Sequence, residues 1–279
     1  AFWHMEASST VIAIFQSLFN VFTCILLLPF TNQLVKLSLM LVKDEPEKAP
    51  AHPELHTLDA HLYISPAVAL GEATKAVAAM GNIARLNVER GCRQLIEYDE
   101  NLNAVIDEDE ECLDQFADRA DHFLIGLSKV IEEEAGDRQL DMLMQSVPNF
   151  ERIGDYATNL LEMGQQMKKE DNPFSEIAKQ ELEIISGAVN DILNITLTAF
   201  AHNDNNAAKA IEPLEEVIDD MVMILRDRHT KRLKSGDCAV GTGLVFMDAL
   251  NHLERTSDHC SSIAVMMLAR NNESILENH

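Results

Sequence analysis

The chain has 279 residues, with 46 Asp and Glu against 22 Lys and Arg, and a formal net charge of −24. That length suggests one or two domains with a sizeable core, and an apolar content of 47% excludes wholesale disorder. The acidity disfavours nucleic acid, whose phosphates are held by Lys and Arg patches, and points to cations or to a solvated acidic surface.

The charge is unevenly placed. Residues 1–42 contain one acid, Glu6, and one base, Lys36, so the whole −24 belongs to residues 43–279. Within 11–30, fifteen of twenty residues are apolar. Twenty such residues in a helix rise roughly 30 Å, the thickness of a bilayer core. No basic stretch or small-residue cleavage site marks a signal peptide, so a transmembrane helix is expected. Pro29 kinks or ends it, and apolar residues resume over 34–42. Gln16, Asn20 and Thr23 share one helical face, which should meet protein or line a transport route. Lys36 and Lys43 follow the span, and the positive-inside rule then places the acidic part in the cytoplasm. The five cysteines include one in the span and form no CxxC, which argues against a disulfide framework.

Residues 43–65 read as a linker, with Pro46, Pro50 and Pro53 among charges. Ser65-Pro66 then gives an N-cap and a proline at the first helical position. Six helices follow at roughly 66–97, 101–133, 137–169, 174–202, 205–235 and 240–270. The third carries Leu140, Leu143, Val147, Phe150, Gly154, Ala157 and Leu161 at spacings of three and four, an apolar bundle seam. In the fifth, Pro213 marks either a kink or the true start.

The six helices form two sets of three. Glu151, Arg152 and Asp155 in the third helix recur as Glu254, Arg255 and Asp258 in the sixth, at an offset of 103. Gly154, Ala157 and Thr158 meet Ser257, Cys260 and Ser261 in the same register. Glu110 and Asp114 in the second helix recur as Glu215 and Asp219 in the fifth, at an offset of 105. The chain thus reads as a tandem duplication. The expected architecture is all-α: one N-terminal transmembrane helix (1–42), the linker, and two tandem three-helix bundles over 66–170 and 171–279.

In Glu-x-x-x-Asp both carboxylates project from one face, one turn apart. Like charges at that spacing repel, and a multivalent cation turns the repulsion into attraction. The alternatives are a solvated acidic face, or ligation by the neighbouring Glu111, Glu216 or Asp220 instead. Arg152 and Arg255 either neutralise the acids locally, bind an anion, or make ordinary surface ion pairs. His252 and His259 fall off the carboxylate face and read as packing residues, and Cys260 reads as a small core residue. Thr158 and Ser261 lie on that face. No Walker loop, GxSxG, HExxH or dinucleotide fingerprint occurs, so no catalytic constellation is read and no enzyme is expected.

The duplicated acidic motifs on two three-helix bundles resemble the family of the phosphate-transport regulator PhoU. The best-matching text is Glu151-Arg152-Ile153-Gly154-Asp155 and Glu254-Arg255-Thr256-Ser257-Asp258-His259. The stretch SLFNVFTCILLLPF at 17–30 is similar to the last membrane segment of bacterial sodium-dependent phosphate cotransporters. Leu58-Asp59 and the text SPAVAL at 65–70 are similar to the join those proteins use before a PhoU-like domain. The resemblance implies the C-terminal region of such a cotransporter, in the inner membrane, with residues 43–279 in the cytoplasm regulating phosphate transport. It implies metal ligation by Glu110, Asp114, Glu151, Asp155, Glu215, Asp219, Glu254 and Asp258. The implied metals are iron, zinc or nickel, and an all-carboxylate set also suits magnesium. The implied partners are the membrane, the transport core of the same protein and, through it, phosphate and sodium; a homo-oligomer is open. The family's paired glutamine-serine transport signatures are absent from this chain. The competing readings are a carboxylate-bridged metal enzyme and an acidic helical scaffold without metal.

Overall fold

A computed structural model describes residues 9–31, 33, 52–236 and 238–270. Lys36, Lys43, Pro46, Pro50 and the apolar stretch 34–42, to which the sequence assigns topology and linker roles, lie outside the described residues. Two units separate between residues 51 and 52.

In the first unit, helix α1 spans Ser9–Leu27, and a single 3-10 turn, Leu28–Phe30, closes it at Pro29. Proline has no N–H to extend an α-helical ladder, and Thr31 Oγ1 donates to the Leu28 carbonyl at 2.6 Å. The large side chains lie bare along this helix, with Phe15 72% and Ile25 67% exposed. Gln16 and Asn20 are exposed and Thr23 is half-buried. By length and composition α1 can cross a membrane. Helix α5 below passes the same test, but it lends a row of side chains to the bundle core.

The second unit holds α2 (Pro66–Ile96), α3 (Asn103–Leu127), α4 (Glu134–Glu170), α5 (Glu176–His202), α6 (Asn205–Ala208), α7 (Ile211–Ser235) and α8 (Val240–Ala269). No strand occurs among the described residues. Helices α4, α5 and α7 stop where the sequence offers left-handed residues: Asp171, Asn203 and Gly236 all have positive φ. Pro213 is the third residue of α7, where a missing N–H costs nothing. The helix therefore starts just before Pro213, and the one-turn α6, capped by Asp204, precedes it. The second helix ends at Leu127, short of the expected 133. Ser65 occupies the N-cap of α2 without a side-chain cap bond.

Residues 52–64 are not a loose tether. Two 3-10 turns, Pro53–His56 and Ala60–Ile64, strap this segment onto the first repeat. Leu55 is buried, and Tyr63 packs at a tilt against Phe123 and donates to its carbonyl at 3.0 Å. Gly126 leaves room for the Tyr63 ring, since a Cβ there would stand 2.2 Å from its hydroxyl. His52 Nε2 lies 2.8 Å from Asp109, whose other oxygen takes Arg90 at 2.6 Å.

Every residue of the seam expected in the third helix is buried. Helices α2, α3 and α4 form the first repeat, and α5, α7 and α8 the second. One hydrophobic cluster runs through both, because α2 packs on α5 and α4 on α8. The repeats meet about an internal two-fold axis. Arg85 donates to Asn190, its counterpart 105 residues on, at 2.9 Å. Tyr156 Oη lies 3.3 Å from His259 Nε2, its counterpart 103 residues on. A residue that touches its own repeat mate lies beside the axis.

Candidate metal centres

Each repeat places a pair of acids on its middle helix against acids on its last. In the first, Ile106, Leu113 and Phe116 bury one side of α3, so Glu110 and Asp114 emerge at the edge of the α3–α4 contact. On α4, Ile153 and Ala157 go inward and leave Glu151 and Asp155 at the same edge. Gly154 lets the helices close, since a Cβ there would sit 2.7 Å from Leu113 Cδ1. Oxygens of Glu110, Asp114 and Asp155 then lie within 4.8 Å of one another.

The second repeat does the same. Glu215 and Asp219 on α7 meet Asp258 on α8, again with oxygens within 4.8 Å. Of the eight acids singled out in the sequence, six fall into these two triads. The other two are placed differently from each other. Glu151 stays within electrostatic reach of Asp155 and Asp114. Glu254 is taken by Arg226 at 2.5 Å, and the same guanidinium donates to Asn251. Spacing gave no sign of Arg226, which sits on another helix, 28 residues before Glu254.

The acids feel their crowding. Burial, then Asp114 and Asp155, raises the Glu110 carboxyl, and burial with Asp114 raises Asp155. Glu151 is raised by burial, Asp155 and Asp114. Glu215 is pushed up to about 7 by burial, Asp219 and Asp258, with which it also shares a hydrogen bond. Burial and Glu254 raise Asp219, while Arg226 opposes the shift; burial, Asp219 and Glu254 raise Asp258. Folding thus drives like charges together and gains nothing from them directly.

These residues fit a cation. Asp219 Oδ1 is buried without a hydrogen-bond partner, and so is Thr158 Oγ1 beside the first triad's helix. The donor sets are all oxygen, which favours hard cations over thiolate- or imidazole-seeking ones. The histidines stand elsewhere, where α4 meets α8. His259 Nδ1 pairs with Asn149 at 2.7 Å, and Tyr156 packs on the rings of His252 and His259 at 5.4 and 5.7 Å. Cys260 is buried, its thiol pushed up to about 12 by desolvation, as suits a core residue.

A tandem three-helix fold with a carboxylate cluster in each repeat defines a class of duplicated helical bundle. The chain belongs to the PhoU domain family, whose domain matches residues 77–163 and 182–267. The two matches begin 105 residues apart, the same offset that separates Glu110 from Glu215. Among relatives, the phosphate-specific transport system accessory protein PhoU homolog of Pseudomonas putida is 26% identical over 202 residues, covering 71% of this chain and 77% of that one. PhoU homolog 1 of Thermotoga maritima is 24% identical over 186 residues, 61% of this chain and 79% of that one. In fold, the crystal structure of PhoU from Pseudomonas aeruginosa superposes with a TM-score of 0.68 at 22% identity, over 76% of this chain and 99% of that one. The phosphate transport system regulatory protein PhoU from Streptococcus pneumoniae gives 0.68 at 18%, over 75% and 98%.

Proposed function

We propose that this chain is a membrane-tethered regulator of phosphate transport, the C-terminal region of a sodium-dependent phosphate cotransporter. One observation carries the reading: a PhoU-family unit follows, in the same chain, an apolar helix whose large side chains are bare. The text at 17–30, similar to the last span of such cotransporters, supports it. So do the relatives, which are accessory proteins of phosphate-specific transport systems. On this reading α1 lies in the inner membrane, the acidic unit in the cytoplasm, and the transport core in the same protein.

Glu110, Asp114 and Asp155 hold one cation, with Glu151 in reserve, and Glu215, Asp219 and Asp258 hold another. Iron or magnesium suits the donor set best; zinc and nickel, also implied by the family resemblance, suit it less. A bound cation supplies positive charge that cancels the mutual repulsion of each triad and ties a middle helix to a last helix. The state of the transporter is then read through the angle of those helices.

The test is phosphate uptake by cells carrying the protein with Asp155→Asn and Asp258→Asn together. Uptake should lose its dependence on external phosphate while the protein stays in the membrane fraction. Unchanged regulation, or a wild-type protein found only in the soluble fraction, would overturn the reading.

A further inference from the structure

Arg152 and Arg255, repeat mates on α4 and α8, are both weakly engaged, as Arg93, Arg228 and Arg270 are elsewhere in the second unit. Arg90, Arg226 and Arg232 are each held by a carboxylate at 2.5–2.6 Å. Arg255 makes no hydrogen bond or ion pair among the described residues, and it is exposed. Its repeat mate Arg152 has a single loose ion pair, 3.8 Å to Asp155, with 66% of its side chain exposed. What sets this pair apart is that two repeat mates converge on one place, since both act on His259, which bonds Asn149 across the α4–α8 contact.

Their position is fixed by their neighbours. On α4, Asn149 and Tyr156 stand three before and four after Arg152, on the same helical face. Both touch α8: Asn149 bonds His259, and Tyr156 meets the rings of His252 and His259. On α8, His252 and His259 bracket Arg255 in the same way. Each arginine therefore occupies the face turned toward the other helix, beside the internal two-fold. Both guanidinium groups act on the same ring, holding His259 down after burial itself. His252 Nδ1 is buried there without a hydrogen-bond partner.

We propose that Arg152 and Arg255 form a seat for a tetrahedral oxyanion on the internal two-fold, between the two acid triads. Two guanidinium forks offer up to ten N–H donors to four oxygens, and a fork matches phosphate geometry bidentately. Neutral His252 and His259 add polar edges without adding charge. The seat is built from side chains outside the triads and stands whether or not the triads hold cations. Its strength does depend on them. Empty triads repel an anion and filled ones do not, so oxyanion and cation should each tighten the other's binding by the same factor.

The test is calorimetric titration of the full chain with inorganic phosphate and with sulfate, first after chelator treatment and then after loading with manganese. Wild-type protein should bind both oxyanions, more tightly when loaded. Arg152→Gln and Arg255→Gln should each weaken binding about tenfold, the loss of one charge-assisted pair, with unchanged melting temperature and with manganese held at saturation, because both arginines act on triad carboxyls. Arg255→Lys should recover part of it. Three results would overturn the seat. One is no binding by the wild type at about 10 mM oxyanion. Another is affinity unchanged in both glutamine variants. The third is binding that needs manganese and survives the double variant, because phosphate would then be bound to the metal.

Discussion

The two acid triads are built on one plan and held in two ways. In the first repeat, Glu151 is left beside the triad, raised by burial, Asp155 and Asp114, and Asp121 of α3 adds to the shift. In the second, Glu254 is clamped by Arg226. Asp121 and Arg226 are 105 residues apart, the offset of the middle helices, so one repeat position carries opposite charge in the two halves. The first site can offer a fourth carboxylate; the second offers three and keeps a guanidinium nearby. Duplication supplied the geometry, and one charge reversal made the sites unequal.

The largest expected effect comes from emptying one site alone. Glu110→Ala with Asp155→Ala should remove the ion of the first triad from purified protein, measured by elemental analysis, and leave the second filled. Loss of both ions, or of neither, would mean the triads are not independent sites. Exchanging the charges comes next. Arg226→Ala frees Glu254 and should tighten the second site about tenfold, and Asp121→Arg should weaken the first by a similar factor. Competition with a metallochromic chelator reads both, and shifts of the opposite sign would break the comparison.

A smaller effect should follow pH in chelator-treated protein. A carboxyl held above its unfolded value binds a proton more readily in the folded chain. Stability should therefore rise as pH falls from about 7 toward the unfolded carboxylate range, most through Glu215. Thermal melts at pH 7 and pH 5 check this, and manganese should abolish the gain. Glu215→Gln should flatten the profile more than Glu110→Gln does. The smallest effect belongs to the strap. His52→Ala leaves Asp109 its Arg90 partner, so it should cost about 1 kcal/mol or less in chemical denaturation.

Much of this was legible in the sequence. Periodicity and break residues locate six long helices, and the 103-residue offset between Glu151 and Glu254 aligns the repeats from the sequence itself. Local patterning located ends less well. Pro46, Pro50 and Pro53 among charges make 43–65 read as a linker, because nothing local shows that Leu55 is buried and Tyr63 finds Phe123 on a distant helix. Within the clusters, spacing along one helix finds residues on one face, but not which face meets which. It cannot tell that Asp155 completes a triad while Glu254 turns to Arg226. The contacts across the axis, Arg85 with Asn190 and Tyr156 with His259, join positions that repeat comparison treats as equivalents and so never as partners.

Those two contacts bear on what the halves would do if separated. A position on a two-fold axis meets its own copy. Were the first repeat released and allowed to pair with itself, Arg85 would face Arg85, and two like charges would confront each other at the seam. The second repeat pairing with itself would bring Asn190 to Asn190 and His259 to His259. Those two pairs could still set donor against acceptor, since amides and neutral imidazoles are both, so the penalty falls on the first repeat alone. Excised first repeats should therefore avoid their own copies and take up second repeats, where Arg85 regains Asn190.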